Sequence, residues 1–529
     1  MRVHKLLTGL LGVFVLMTAA AGVARATAYP VQYVVVIYQE NISFDHYFGT
    51  YPNAANPSGE PAFYPLIGTP TVNGLTPLLL TYNPNSLNAN NGAGEINPFR
   101  LDRSQAFTVS QTHNYQPEQQ AFDFGLMDAF PEFVGQAGPP PGSSAPVATT
   151  GLTMGYFDGN TVTAEWNYAQ RFAMSDNSYG TTFGPSTPGA INLVSGQTNG
   201  IGIVTLQSTT YEISDGYGGL TMIDDPEPYG DVCSTTTKSN VQLTAKNIGD
   251  LLTAGGVSWG GFTGGFNLST INTNGTTGCN RSSYSSVAQQ TFVDYEPHHN
   301  WFQYYASTSN PTHVRPASVA EIGHAGSANH DYDLNDFFTA VSAGNMPAVS
   351  FLKAIGAQDA HAGNSDPLDE QTFLVTTINF LQKTPYWKNM AIIIAYDDSD
   401  GWYDHQMSPI VNQSNTAADA LSGPGACGNG ASALPGVAAG TLHAQGRCGF
   451  GPRLPLLVIS PFAKKNFVDH AITNQTSIIR FIEDNWLGGQ RLGGGSFDAI
   501  SNSITNMFDF DHGRRLKKLI LDPDTGNPK

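Results

Sequence analysis

Two short runs of β-branched and small apolar residues, Tyr33–Tyr38 (YVVVIY) and Ala391–Ala395 (AIIIA), lack any alternation of polar and apolar positions. Runs of this kind read as strands buried on both faces of a parallel sheet. Leu454–Ile459 (LPLLVI) and the shorter Ala348–Leu352 (AVSFL) have the same character. Helical spacing is found in Leu368–Gln382, where Phe373, Ile378 and Leu381 share a stripe. It recurs in Ser477–Leu487, with Ile478, Phe481, Ile482 and Trp486 on one face and Thr473 or Asn474 placed to cap it. Strands alternating with helices over the last third predict a mainly parallel α/β sheet.

Both long apolar runs end in polar chemistry. Ala391–Ala395 leads into YDDSDGWYDHQ, which carries Asp397, Asp398, Asp400 and Asp404. Adjacent carboxylates repel and raise each other's pKa unless a cation neutralises them. The C-terminal edge of an open α/β sheet is also where such folds place their sites. Tyr33–Tyr38 leads into Gln39, Glu40 and Asn41, and a carboxylate with an amide oxygen suits a hard or borderline divalent ion. Plainer readings exist for each: a solvated acidic turn pivoting on Gly401, and a helix cap at Asn41. Two such strand ends, far apart in sequence, make the stronger pattern.

Composition narrows the setting. Met1 to about Ala28 has the form of a signal peptide, with Arg2 and Lys5, an apolar stretch to Ala21, and small residues at Ala24, Ala26 and Ala28. The apolar run is short for a membrane anchor, and none of that length follows. The expected location is periplasmic or secreted, with one domain over residues 29–529. Residues 200–290 and 411–450, rich in small and polar residues, are expected as loop-rich insertions. The tail after Phe508 is basic and polar and is expected on the surface. Apolar residues make up 40% and charged residues 12%, so a large core has a mostly neutral polar surface. A net charge of −18 argues against nucleic acid or an anionic membrane as partner. Four cysteines in an exported chain favour two disulfides, and Cys233–Cys279 with Cys427–Cys448 would each staple one loop-rich stretch.

Other residues carry candidate chemistry. In FGPSTPG, Gly184 and Pro185 force a turn directly before Ser186. A serine on a tight turn is how many hydrolases present a nucleophile, although the GxSxG elbow of α/β-hydrolases is missing. An ordinary turn serine is the plainer reading. His298 and His299 adjoin in EPHHN, with His113 in QTHNY and His361 in AQDAHAG. Imidazoles grouped in polar loops can bind an oxyanion or protonate a leaving group. For each histidine singly, surface or core packing is the alternative.

Taken in order, QENISFDHYFG, FGPSTPG, EPHHN, DAHAG, YDDSDGWYDH and the late GPRLPLLVISPFAK…TSIIRFIE run resemble the bacterial phosphoesterase family. That family contains the non-specific phospholipases C and the AcpA-type acid phosphatases. The resemblance spans about residues 30–487 and implies an alkaline-phosphatase-like fold. It implies one divalent metal ion (calcium, magnesium, manganese or zinc) on Glu40, Asn41, Asp397 and Asp398. It further implies Ser186 as nucleophile, with His113, His298, His299 and His361 around the phosphate. Serine at position 186, and an end roughly forty residues past the last motif, place the expectation in the acid phosphatase branch. Phospholipase C is the alternative. One departure is Asn474-Gln475, where many members have Asp-His.

The expected activity is hydrolysis of small phosphate monoesters through a phosphoserine, with phospholipid as the alternative substrate. If histidines act as cations, activity falls as pH rises through about 6.5. No basic amphipathic helix for membrane docking is evident. A CxPxR-type sulfatase motif is also missing. A binding protein without catalysis is the reading from another class.

Overall fold

The computed structural model describes residues 27–135, 150–428, 444–512 and 518–529. Nearly all of the expected signal peptide lies outside them. The apolar runs form the centre of an eight-stranded sheet. Its strands are β1 (Tyr33–Gln39), β2 (Ala173–Ser175), β3 (Trp259–Thr263), β4 (Asp331–Asp333), β5 (Val349–Lys353), β6 (Met390–Tyr396), β7 (Leu456–Ile459) and β8 (Phe467–Asp469). They stand in the order β4-β3-β5-β1-β6-β7-β2-β8. Only β7 runs against the others. Every residue of β6 is buried, as is all of β1 but Tyr33, which is why neither shows alternation.

Four strands were not legible as apolar runs. β2, β4 and β8 have three residues each. β3 is WGGFT, and its glycines serve close packing: a Cβ on Gly261 would lie 2.6 Å from the Phe302 ring. This strand stands inside the stretch 200–290, which therefore is not uniform. A three-stranded sheet (Ile201–Thr205, Glu227–Pro228, Asn240–Leu243) precedes it and a hairpin (Ser282–Ser285 with Gln290–Val293) follows.

The helices used below are α1 (Phe44–Phe48), α2 (Tyr115–Ala121), α3 (Ser186–Ser195), α4 (Pro367–Lys383) and α5 (Thr476–Trp486). The Asp366 carboxylate accepts from the Leu368 and Asp369 amides at the start of α4, and Pro367 follows it. Of the two expected caps of α5, Asn474 acts: its Oδ1 accepts from the Thr476 amide at 2.8 Å. Asn41 caps no helix; Ser43 caps α1. The expected disulfides Cys233–Cys279 and Cys427–Cys448 are both formed. The tail corrects the surface expectation in part. Leu521 is fully buried, and Gln371, Asn379 and Gln382 of α4 donate to the carbonyls of Pro523, Leu521 and Leu519. A single apolar anchor among polar residues leaves no periodic signal.

α3 rests on the end of β6. A Cβ on Gly189 would lie 2.3 Å from the Asp397 carbonyl oxygen. Gly189→Ala is therefore expected to destabilise by about 1–3 kcal/mol and to lower activity by shifting Ser186 against Asp397 and Asp398. A melting temperature and rate equal to wild type would contradict this contact.

Candidate active site

Parallel pairing of β1 and β6 in register, Gln39 opposite Tyr396, brings Glu40-Asn41 and Asp397-Asp398 to one edge. Asn41 adopts a left-handed backbone (φ 64°), which asparagine tolerates better than most residues. Its amide then donates to Asp397 Oδ1 at 2.8 Å. The facing wall is the start of α3. Gly184 has φ 117°, a conformation costly for any side chain, and Pro185 is extended. This turn places Ser186 in the first helical position, 1% exposed. The Glu118 carboxylate of α2 accepts from the Gly184 amide, and Asp225 accepts from the Thr187 amide.

Ser186 Oγ lies 3.1 Å from Glu40 Oε2, 3.1 Å from Asp398 Oδ2 and 3.5 Å from Asn41 Oδ1. Every residue expected at the metal therefore meets at or beside the expected nucleophile, Asp397 by way of the Asn41 amide. The donor set fits a hard divalent cation. Asp397 Oδ2 is buried without a hydrogen-bond partner among the described residues. Burial, then the Asp398 and Glu40 charges, push the Asp397 carboxyl well up, and burial pushes Asp398 up to about 7. A cation among these oxygens would remove both penalties.

Behind Glu40 lies an ion cluster that sequence reasoning missed. Lys353, the last residue of β5 and 2% exposed, holds Glu40 Oε1 and Asp359 Oδ2, each at 2.9 Å. His299 Nδ1 lies 3.1 Å from the same Glu40 oxygen. Burial opposes charge on Glu40, but Lys353 leads the groups that hold its carboxyl below the usual range. A lysine closing a fully buried strand was the available signal, the mirror image of the carboxylates that close β6.

The acidic run divides its labour. Asp397 and Asp398 face the nucleophile. Asp400 Oδ1 lies 3.0 Å from His113 Nδ1 and accepts from Asn41 Nδ2 at 3.1 Å. Asp404 pairs with the buried Arg453, which also binds Asp45. Among the histidines, burial drives His298 down to about 4 and His299 well down, which favours the neutral form of each. His113 and His361 move the other way. Burial opposes their charge, but Asp398 and Asp400 hold His113 well up, and Asp400 and Glu40 raise His361. Their rings stand 6.1 Å apart. Gln475 is no ligand of the cluster: its Nε2 donates to the backbone carbonyls of Tyr396 and Asp397 at 3.0 and 2.6 Å.

Two buried carboxyls outside the oxygen cluster set a pH dependence of stability. Burial pushes Glu370 up to about 7 against its bonds from Tyr396, Tyr47 and Gln39. Burial and then the Asp398 charge push Glu118 up to about 8. Both exceed the roughly 4.3 of an unfolded chain. The folded protein thus keeps protons that the unfolded chain has released. This contribution is complete below about pH 4.3 and is lost as pH rises through 7 to 8. In chelator, the melting temperature is expected to fall from about pH 5.5 to about pH 8.5, with a shallower fall in Glu370→Gln. A melting temperature that climbs over this window would refute the assignment.

Fold and site together define an α/β protein with a helix-mounted serine facing a cluster of metal-type oxygen donors. The chain belongs to the Phosphoesterase family, whose pattern matches residues 31–487. It is 24% identical over 470 residues to the non-hemolytic phospholipase C of Pseudomonas aeruginosa, covering 86% of this chain and 54% of that protein. The non-hemolytic phospholipase C of Burkholderia pseudomallei is 24% identical over 464 residues, covering 86% and 55%. Phospholipase C A of Mycobacterium tuberculosis is 24% identical over 465 residues, covering 85% and 72%. The chain spans about half the length of the first two relatives.

Proposed function

We propose that the chain hydrolyses phosphoric esters through a phosphoserine on Ser186, and that its natural ester is a phospholipid diester, as for a phospholipase C. The observation that carries the chemistry is the convergence of Glu40 Oε2 and Asp398 Oδ2 on Ser186 Oγ, 3.1 Å each. Glu40, Asn41, Asp397 and Asp398 would hold a divalent cation, which when bound polarises the nucleophile and draws charge from the phosphoryl oxygens. Ser186 Oγ attacks phosphorus as its proton passes to one of the two carboxylates. The bond to the alcohol oxygen breaks, and His113 or His361 gives that oxygen a proton. Water then attacks the phosphoserine and returns the hydroxyl to Ser186. Positioned charge of this kind is most of what phosphoryl transfer requires.

The phospholipase C relatives favour the diester, which moves the sequence-based acid phosphatase reading to second place. Ser186, the residue the resemblance ties to the acid phosphatase branch, keeps that second reading alive. Two disulfides and the expected signal peptide support function outside the cytoplasm. The test compares initial rates on p-nitrophenylphosphorylcholine and p-nitrophenyl phosphate between about pH 4 and 9, with and without chelator. Preference for the choline diester, lost on chelation, is the expected result. Preference for the monoester would restore the acid phosphatase reading. Hydrolysis of neither, or rates indifferent to chelation, would reject the mechanism.

A further inference from the structure

A cavity of about 1110 Å³ lies beside the nucleophile turn, between α2, the hairpin formed by Glu212–Ser214 and Leu220–Met222, and the loop 415–418. It borders the site at two points. Asn114, the neighbour of His113, lines it and donates to Asp224 Oδ1 at 3.3 Å. Asp224 lines it too, and the next residue, Asp225, holds the Thr187 amide. The nucleophile turn packs directly behind the lining residue Ile223: a Cβ on Gly184 would stand 3.4 Å from the carbonyl oxygen of Ile223.

The lining says what the cavity can hold. Pro117, Ile213, Ile223 and Ala418 give it an apolar side, and hydroxyls and amides supply most of the rest. Among the described residues, no lysine, arginine or histidine lines it, and Asp224 is the one carboxylate that does. An anionic group would find hydrogen-bond donors but no cationic partner among these residues. A volume of this order suits an organic ligand far larger than a phosphoryl group.

We propose that this cavity binds the alcohol moiety of the ester, and that this moiety is uncharged and partly apolar. The inference rests on the phosphoester reading above, because only then does a ligand span both the cavity and Ser186. The phosphoryl group sits against Ser186 and the oxygen cluster, while the carbon skeleton lies along Ile213 and Ile223. Size and polarity of the alcohol are then read by residues that take no part in the chemistry.

The test is a binding titration on the full-length, metal-loaded chain carrying Ser186→Ala. The ligand is 4-methylumbelliferyl phosphate, followed by fluorescence, with inorganic phosphate as competitor. Thr210→Trp and Ala417→Trp, introduced separately, fill the cavity from exposed positions. Each is expected to weaken the ester at least about tenfold and to change the phosphate Kd less than twofold. Ester binding as tight as in the parent, an equal loss of phosphate binding, or no saturable ester binding by the parent would overturn the proposal. Two analogues of 1-naphthyl phosphate test the charge. A sulfonate on the ring is expected to weaken binding about tenfold, and tighter binding of a trimethylammonium analogue would overturn the uncharged assignment. Turnover retained in Ser186→Ala would sink the phosphoserine reading and leave this binding result standing.

Discussion

Ser186→Ala is expected to remove at least about a thousandfold of kcat while the chain stays folded. Loss of a covalent nucleophile typically costs several orders of magnitude, since no other group completes the two-step route. The hydroxyl is spent on the site: its partners are the carboxylates of Glu40 and Asp398 and the amide oxygen of Asn41. The helix start does not depend on it, because Gly184 and Thr187 donate their amides to Glu118 and Asp225. The measurement is steady-state kinetics beside a thermal melt. Retention of more than about a tenth of kcat with a normal melt rejects Ser186 as the nucleophile, since the remaining features of the site contribute less than that margin.

Lys353→Met is expected to cost about 3–5 kcal/mol of stability and to damage catalysis through Glu40. Burial alone would discharge this lysine, but Asp359 and then Glu40 hold it firmly cationic. Methionine fits the volume and leaves two buried carboxylates facing each other without their shared counter-charge. One of them must then take up a proton. A protonated Glu40 is a poorer cation ligand and a poorer acceptor for Ser186. The acidic limb of the pH–rate profile is therefore expected to move to higher pH, a shift that loss of packing alone would not cause. Urea unfolding and that profile, measured together, check both halves. Unchanged stability would show that the ammonium contributes nothing net, and an unmoved limb would separate Lys353 from the chemistry.

The centre of the fold was legible because burial on both faces writes itself into a strand as an unbroken apolar run. β1 and β6 show this, with bounds within a residue or two of those read from Tyr33–Tyr38 and Ala391–Ala395. Short strands such as β2, and a glycine-bearing one such as β3, have too few side chains to show a pattern. Their position comes from neighbours: β3 is admitted where Gly261 lets Phe302 approach. The final segment is similar, since Leu521 is buried by α4 rather than by any periodicity of its own.

At the site, the sequence by itself determined which groups stand at the strand ends and the residue types available for chemistry. Glu40, Asn41 and the aspartates after β6 stood out because carboxylates after a buried strand are local facts, whereas singling out Asp397, Asp398 and the turn serine Ser186 rested on the family resemblance. The tertiary structure alone decided how the charges are balanced. It set Lys353 between Glu40 and Asp359, gave His113 to Asp400, buried His298 and His299 so that charge on them is disfavoured, and turned Gln475 to the backbone. Those outcomes depend on burial and on distances of a few ångströms between residues hundreds of positions apart. Electrostatic energy in a low-dielectric interior is set by such distances, and a linear chain does not carry them.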